Sequence, residues 1–118
     1  MSAKNTGLSR LIKAFGYSLS GLKHVFASEA AFRQECLLCL ILLPTIFFLH
    51  VSKVECVLLI GSLFLVLIAE LLNTALEITI NRISAEIHPL SKQVKDIGSA
   101  TVLLALVNAI VVWVVILF

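Results

Sequence analysis

Residues 54–82 read VECVLLIGSLFLVLIAELLNTALEITINR, and this stretch decides the fold. It is strongly apolar from Val54 through Ala69, and Leu71, Leu72, Ala75, Leu76, Ile78 and Ile80 continue at helical spacing up to Arg82. A helix needs about 20 mostly apolar residues to cross a bilayer core. This one is longer, so its later half is expected to emerge on the cytoplasmic side or to lie against protein.

Upstream, residues 36–49 form an apolar run broken only by Pro44 and Thr45. The run is short for a span, but with 30–35 as its inner end it reaches the required length. A first span over 30–50 is expected, with Ser28 as its N-cap, a kink at Pro44 and a turn at 50–53. Downstream, 84–94 read as a polar linker containing Pro89, followed by a third span over 96–118 with Asn108 as its strongly polar interruption. Ahead of all three, Leu8, Leu11, Ile12, Phe15, Leu19, Leu22 and Phe26 recur at helical spacing opposite Arg10, Lys13, Ser20, Lys23 and His24. Residues 8–26 therefore predict an amphipathic helix suited to the surface of an anionic leaflet. No repeat, low-complexity segment or second domain interrupts 1–118. The expected fold is an all-α integral membrane protein, one domain of three transmembrane helices and an N-terminal surface helix.

Composition leads to the same class. Hydrophobic residues make up 60% of the chain and charged ones 14%, against roughly 45–50% and 25% in soluble domains. A core of this size is too small to hide that excess, and lipid must cover it. The net charge of +2 gives no basis for nucleic-acid binding. Cys36 and Cys39 are spaced C-x-x-C, but neither a second pair nor a neighbouring histidine completes a site. With Cys56 they read as small buried hydrophobes. A cleaved signal peptide is not expected, since the first strongly apolar run follows a long polar-basic lead without a small-residue cleavage signal.

Orientation follows from the basic residues beside the spans. Lys4, Arg10, Lys13, Lys23 and Arg33 precede the first span, and Arg82, Lys92 and Lys95 lie between the second and third. The loop between spans one and two has Lys53 alone. The N-terminus and the second loop are therefore expected in the cytoplasm, and the C-terminus in the periplasm.

The chemistry concentrates in the later half of span two. Glu70, Asn73, Thr74 and Glu77 stand at offsets 0, 3, 4 and 7, so they share one helical face. Ionisable groups inside a span are costly and mark a site by default, although Asn and Thr also serve as hydrogen-bonding glue between helices. Two carboxylates two turns apart can divide into a deeper proton acceptor and a shallower metal ligand. Glu29 and Glu35 flank Arg33 at the inner end of span one, and Glu29 with Arg33 reads as an i,i+4 ion pair. Lys95 and Asp96 open span three, and Glu86 and His88 lie in the same cytoplasmic loop. All these groups converge on one side of the membrane. Neither a P-loop nor a dinucleotide fingerprint is present, so any nucleotide must be held through Mg²⁺ on carboxylates and through scattered basic groups.

Three strings, EAAFRQE (29–35), AELLNTALE (69–77) and KDIGSA (95–100), resemble in order and separation the prokaryotic diacylglycerol kinase family of membrane lipid kinases. The likeness runs from about residue 7 to 118, and EAAFRQE is closer to the Gram-negative type than to the related undecaprenol kinases. The resemblance implies a homotrimer in the bacterial inner membrane with active sites shared between neighbours. It further implies transfer of the γ-phosphoryl group of MgATP to diacylglycerol, giving phosphatidic acid. By the same resemblance Glu70 matches the catalytic proton acceptor, Glu29 and Glu77 the Mg²⁺ ligands, and Asn73 an active-site polar residue. Arg10, Tyr17, Glu29, Glu77, Glu86, His88, Lys95 and Asp96 match nucleotide-contacting positions. Arg10, Ala14, Glu70, Ser99 and Trp113 match positions near the lipid substrate. The family often has Asp where this chain has Asn81. A polyprenol kinase is the nearest rival. A small proton-coupled transporter would use Glu70 but leave Glu29, Glu77 and the Lys95–Asp96 pair idle. Holin-like pore formers commonly end in a charged tail, whereas this chain ends Val115-Ile116-Leu117-Phe118.

Overall fold

The computed structural model describes residues 6–83 and 87–118. Thr6 opens the first helix. Its hydroxyl oxygen accepts from Ser9 N at 3.3 Å, satisfying one of the backbone donors that a helix start leaves without a partner. Helix α1 then runs Gly7–Ser28, with Val25 its buried residue. Leu8, Leu11, Ile12 and Phe15 remain exposed, so the apolar face of α1 is uncovered in the protomer.

Glu29 breaks the helix, with φ −116° and ψ 111°. Across this break Arg33 Nη1 donates to Phe26 O at 2.8 Å and to Ala27 O at 3.0 Å. These contacts correct two expectations. Ser28 ends α1 instead of capping the next helix, and Arg33 does not pair with Glu29. The last carbonyls of a helix lack intrahelical partners and carry partial negative charge, and here the guanidinium goes to them.

Helix α2 runs Ala30–Thr45 and tightens into a 3₁₀ turn over Ile46–Phe48. Pro44 therefore marks the change of helix type near its end. Phe32, Cys39 and Ile46 are buried at a seven-residue interval, so they form one inward stripe. Helix α3, Lys53–Ile83, starts from a capping box. Ser52 Oγ accepts from Glu55 N at 3.1 Å, and Glu55 Oε1 accepts from Ser52 N at 2.9 Å.

Helix α4, Pro89–Leu117, begins well before the expected third span and removes most of the polar linker placed at 84–94. The reason is local. Pro89 takes the first helical position, where its missing N–H costs nothing, and His88 Nδ1 accepts from Leu90 N at 3.1 Å as the cap. Three segments, Ala30–Phe48, Lys53–Ile83 and Pro89–Leu117, are long and apolar enough to cross a membrane. The chain is an all-helical, multi-pass membrane protein.

The α3–α4 pair is the centre of the fold. Val66, Ala69 and Ala105 form its core with Val102 and Ala109 against them, small side chains that let two helices approach closely. Lower on the same pair, Trp113 Nε1 donates to Ser62 Oγ at 3.1 Å, and Ser62 donates onward to Leu59 O at 2.8 Å. Helix α2 packs on α3, and α1 packs on α2 and touches α3. The extents are 48 × 45 × 22 Å. The 31 residues of α3 account for one long dimension, at about 1.5 Å of rise each. A bundle of three helices is too narrow for the other, so α1 projects sideways from it.

Candidate functional site

The stripe on α3 faces inward, as its spacing requires. Glu70 is only 8% exposed and Thr74 only 3%, while Asn73 and Glu77 are half-buried. Opposite Glu70, α2 brings Glu35, and the two carboxyls lie within hydrogen-bonding reach of each other. One Glu35 oxygen, Oε2, is buried and accepts from no N–H or O–H donor among the described residues. Glu35 is the residue that matching the sequence to the family's functional positions leaves out. The signal for it exists, because Glu35 falls three residues after Phe32 and four before Cys39, on the inward stripe of α2.

One turn beyond Glu70, Asn73 Nδ2 donates to Glu77 Oε1 at a long 3.5 Å. Asn73 Oδ1 is buried without an N–H or O–H donor. Gly98 of α4 lies directly against it, so close that a Cβ on residue 98 would overlap Asn73 Oδ1.

At the polar ends of the two helices, Lys95 Nζ donates to Asn81 Oδ1 at 3.0 Å, and Lys92 pairs with Asp96 at 2.6 Å. Lys95 and Asp96 thus do not bond to each other: Asp96 takes Lys92, one turn back on its own helix, and Lys95 reaches across to α3. His88 gives its Nδ1 to the α4 cap, and Glu86 lies outside the described residues.

Other sequence candidates stand apart from this cluster. Arg10, Ala14 and Tyr17 are exposed along α1, and among the described residues no hydrogen bond or ion pair ties them to the stripe. Ser99 is exposed beside Gly98. Trp113 is bound to Ser62, which precedes Glu70 by eight residues and so lies about 12 Å from it along α3. A groove of about 410 Å³ nevertheless runs between Glu35 and Trp113, with Leu42, Val66 and Leu106 also among its lining. Cys36, Cys39 and Cys56 are free thiols.

No cluster of three or more His, Cys, Asp or Glu that could hold a metal ion occurs among the described residues. Mg²⁺ does not need such a cluster, since it binds one or two carboxylates and fills its shell with water and phosphate oxygens. The donor set fits. Glu77 presents a carboxylate at the half-buried end of the stripe, and Glu29, half-buried at the α1–α2 break, has no side-chain cap bond and, among the described residues, no ion pair.

The fold and the cluster define a multi-pass membrane protein with a carboxylate–amide site between three spans. The model of the prokaryotic diacylglycerol kinase family matches residues 16–117. The chain is 50% identical to a diacylglycerol kinase of Haemophilus influenzae over 98% of both chains. It is 51% identical to one of Pseudomonas aeruginosa over 95% of this chain and 91% of that one. To the diacylglycerol kinase of Escherichia coli strain K12 it is 44% identical, over 100% of this chain and 97% of that one. The chain belongs to the prokaryotic diacylglycerol kinase family.

Proposed function

We propose that this protein is a diacylglycerol kinase, transferring the γ-phosphoryl group of ATP to the free hydroxyl of diacylglycerol and releasing ADP and phosphatidic acid. The observation that carries the reading is the pairing of a buried Glu70 with Glu35, one turn from the Asn73–Glu77 contact on the same helical face. A membrane lipid kinase needs this arrangement of a withdrawn base beside an apolar groove and polar groups nearer the surface. The relatives named diacylglycerol kinase cover nearly the whole chain and favour diacylglycerol over a polyprenol as acceptor.

In this reading Glu70 accepts the hydroxyl proton of diacylglycerol as the oxygen attacks the γ-phosphorus. The bond from that phosphorus to the β–γ bridging oxygen breaks, and its electron pair leaves with ADP. Phosphoryl transfer asks the protein mainly for positioning and charge compensation. Lys95 and Arg10 supply positive charge toward the nucleotide, with Tyr17, Glu86, His88 and Asp96 as further contacts. Glu29 and Glu77 would hold Mg²⁺, which when bound neutralises phosphate charge. Arg10, Ala14, Ser99 and Trp113 would border the lipid.

The same reading makes 1–118 one membrane-embedded kinase domain, working as a homotrimer with shared sites in the bacterial inner membrane, N-terminus in the cytoplasm and C-terminus in the periplasm. The test is a phosphoryl-transfer assay in mixed micelles with labelled ATP, offering diacylglycerol and undecaprenol separately. Labelled phosphatidic acid supports the proposal, whereas label only in the polyprenol product assigns the acceptor to the other class.

A further inference from the structure

We infer that Gly98 is a positioning residue of the kinase site, fixing the Asn73 carboxamide so that it holds the Glu77 carboxylate. The inference rests on the reading of Glu77 as a metal ligand. Its basis is geometric. Asn73 Oδ1 is buried, has no conventional donor, and sits where a side chain at position 98 would begin. What meets it is the Cα–H of a glycine, a weak donor that only close approach of two backbones provides. With Oδ1 fixed against α4, Nδ2 is left pointing along α3 to Glu77 Oε1. The reversed amide would set its oxygen against the Glu77 carboxylate and its N–H₂ against a carbon, so one orientation is selected.

A methyl group at position 98 would displace the tip of the Asn73 side chain first. Next nearest are Asn73 Cγ at 3.4 Å and Leu76 Cδ1 at 3.5 Å, ordinary contacts. The terminal amide can swing aside while the helices keep their packing. The cost of Gly98→Ala then falls on Glu77, which loses its amide donor, and orienting partners of metal ligands typically govern about 10–100-fold in affinity.

The experiment combines Gly98→Ala, Asn73→Ala and their double variant in the full chain. ATP binding in detergent micelles is measured as a function of Mg²⁺ without lipid acceptor, and thermal unfolding without nucleotide. Gly98→Ala should unfold cooperatively yet need about 10–100-fold more Mg²⁺ for ATP binding, and the double variant should bind no more weakly than Asn73→Ala alone. Parent-like Mg²⁺ dependence in Gly98→Ala, or losses that multiply in the double variant, would overturn the inference. Should Gly98→Ala fail to fold, the double variant must recover a cooperative transition, because the overlap is with Asn73, and its failure overturns the proposal as well. Glu77→Gln separates the two readings. Unchanged Mg²⁺ dependence in that variant would defeat the metal assignment, while non-additive unfolding midpoints of the Gly98 and Asn73 variants would still report the contact itself.

Discussion

Lys95 donates to the side-chain oxygen of Asn81 at 3.0 Å, joining the end of α3 to the start of α4 through a neutral acceptor. Asp96 is meanwhile taken by Lys92, one turn back. Among the described residues, Lys95 is held in place without a carboxylate to cancel its charge. An ammonium in that condition can be oriented by the protein and still attract phosphate at full strength.

Asn81→Asp should turn this contact into an ion pair that competes with the nucleotide. An exposed pair contributes roughly 0.2–1 kcal/mol, so KM for MgATP should rise about 1.5- to 5-fold. KM for diacylglycerol should stay the same, and the effect should shrink at high salt. Steady-state kinetics at two ionic strengths check this, and an unchanged KM for MgATP would mean that Lys95 does not meet the phosphates.

Glu70→Gln should lower kcat by about 10²–10⁴-fold, the usual loss for a general base, with nucleotide binding nearly unchanged. Glu35→Ala removes the facing carboxyl and should cost kcat about 2- to 12-fold, equivalent to one hydrogen bond of about 0.5–1.5 kcal/mol. Turnover of Glu70→Gln within a few-fold of the parent would assign the proton to another group.

Glu29→Gln and Glu77→Gln should each abolish activity while leaving the unfolding transition in micelles close to that of the parent. Any residual turnover should demand more Mg²⁺, since each change removes a hard anionic oxygen. A Mg²⁺ titration of turnover at fixed ATP reads this directly.

Arg33→Ala should destabilise the protein by roughly 1–2 kcal/mol, because two carbonyls at the end of α1 lose their donor. Arg33→Lys should retain part of that loss as stability, through its charge near the helix C-terminus. Thermal unfolding of the three proteins in one detergent makes the comparison.

A reporter fused after Phe118 should behave as periplasmic, and one inserted between residues 84 and 91 as cytoplasmic. The reverse pattern would put Glu70 and Glu77 on the wrong side for ATP.

How much of this was legible in the sequence varies with the length scale of the signal. The spans and the shared face of Glu70, Asn73 and Glu77 follow from helical periodicity, which acts within one segment. The early start of α4 was readable too, from Pro89 after His88, but the polar composition of 84–94 masked it. The partners were not readable. Glu35 meets Glu70, Lys95 chooses Asn81 over Asp96, and Gly98 presses on Asn73 because of how separate helices are rotated against each other. Arg33 shows the same limit within a short stretch, since the i,i+4 rule offers Glu29, yet the break at Glu29 brings α1 carbonyls within reach.

Trp113 is the single tryptophan of the chain, and its indole both hydrogen-bonds Ser62 and lines the groove that Glu35 also lines. The protein therefore contains its own optical probe at that groove, uncontaminated by any second indole. A lipid or detergent chain entering there changes the surroundings of one fluorophore, so emission wavelength and quenching by brominated acyl chains can follow occupancy in the unlabelled wild-type molecule. Loading of the groove and phosphoryl transfer can then be timed separately in one sample.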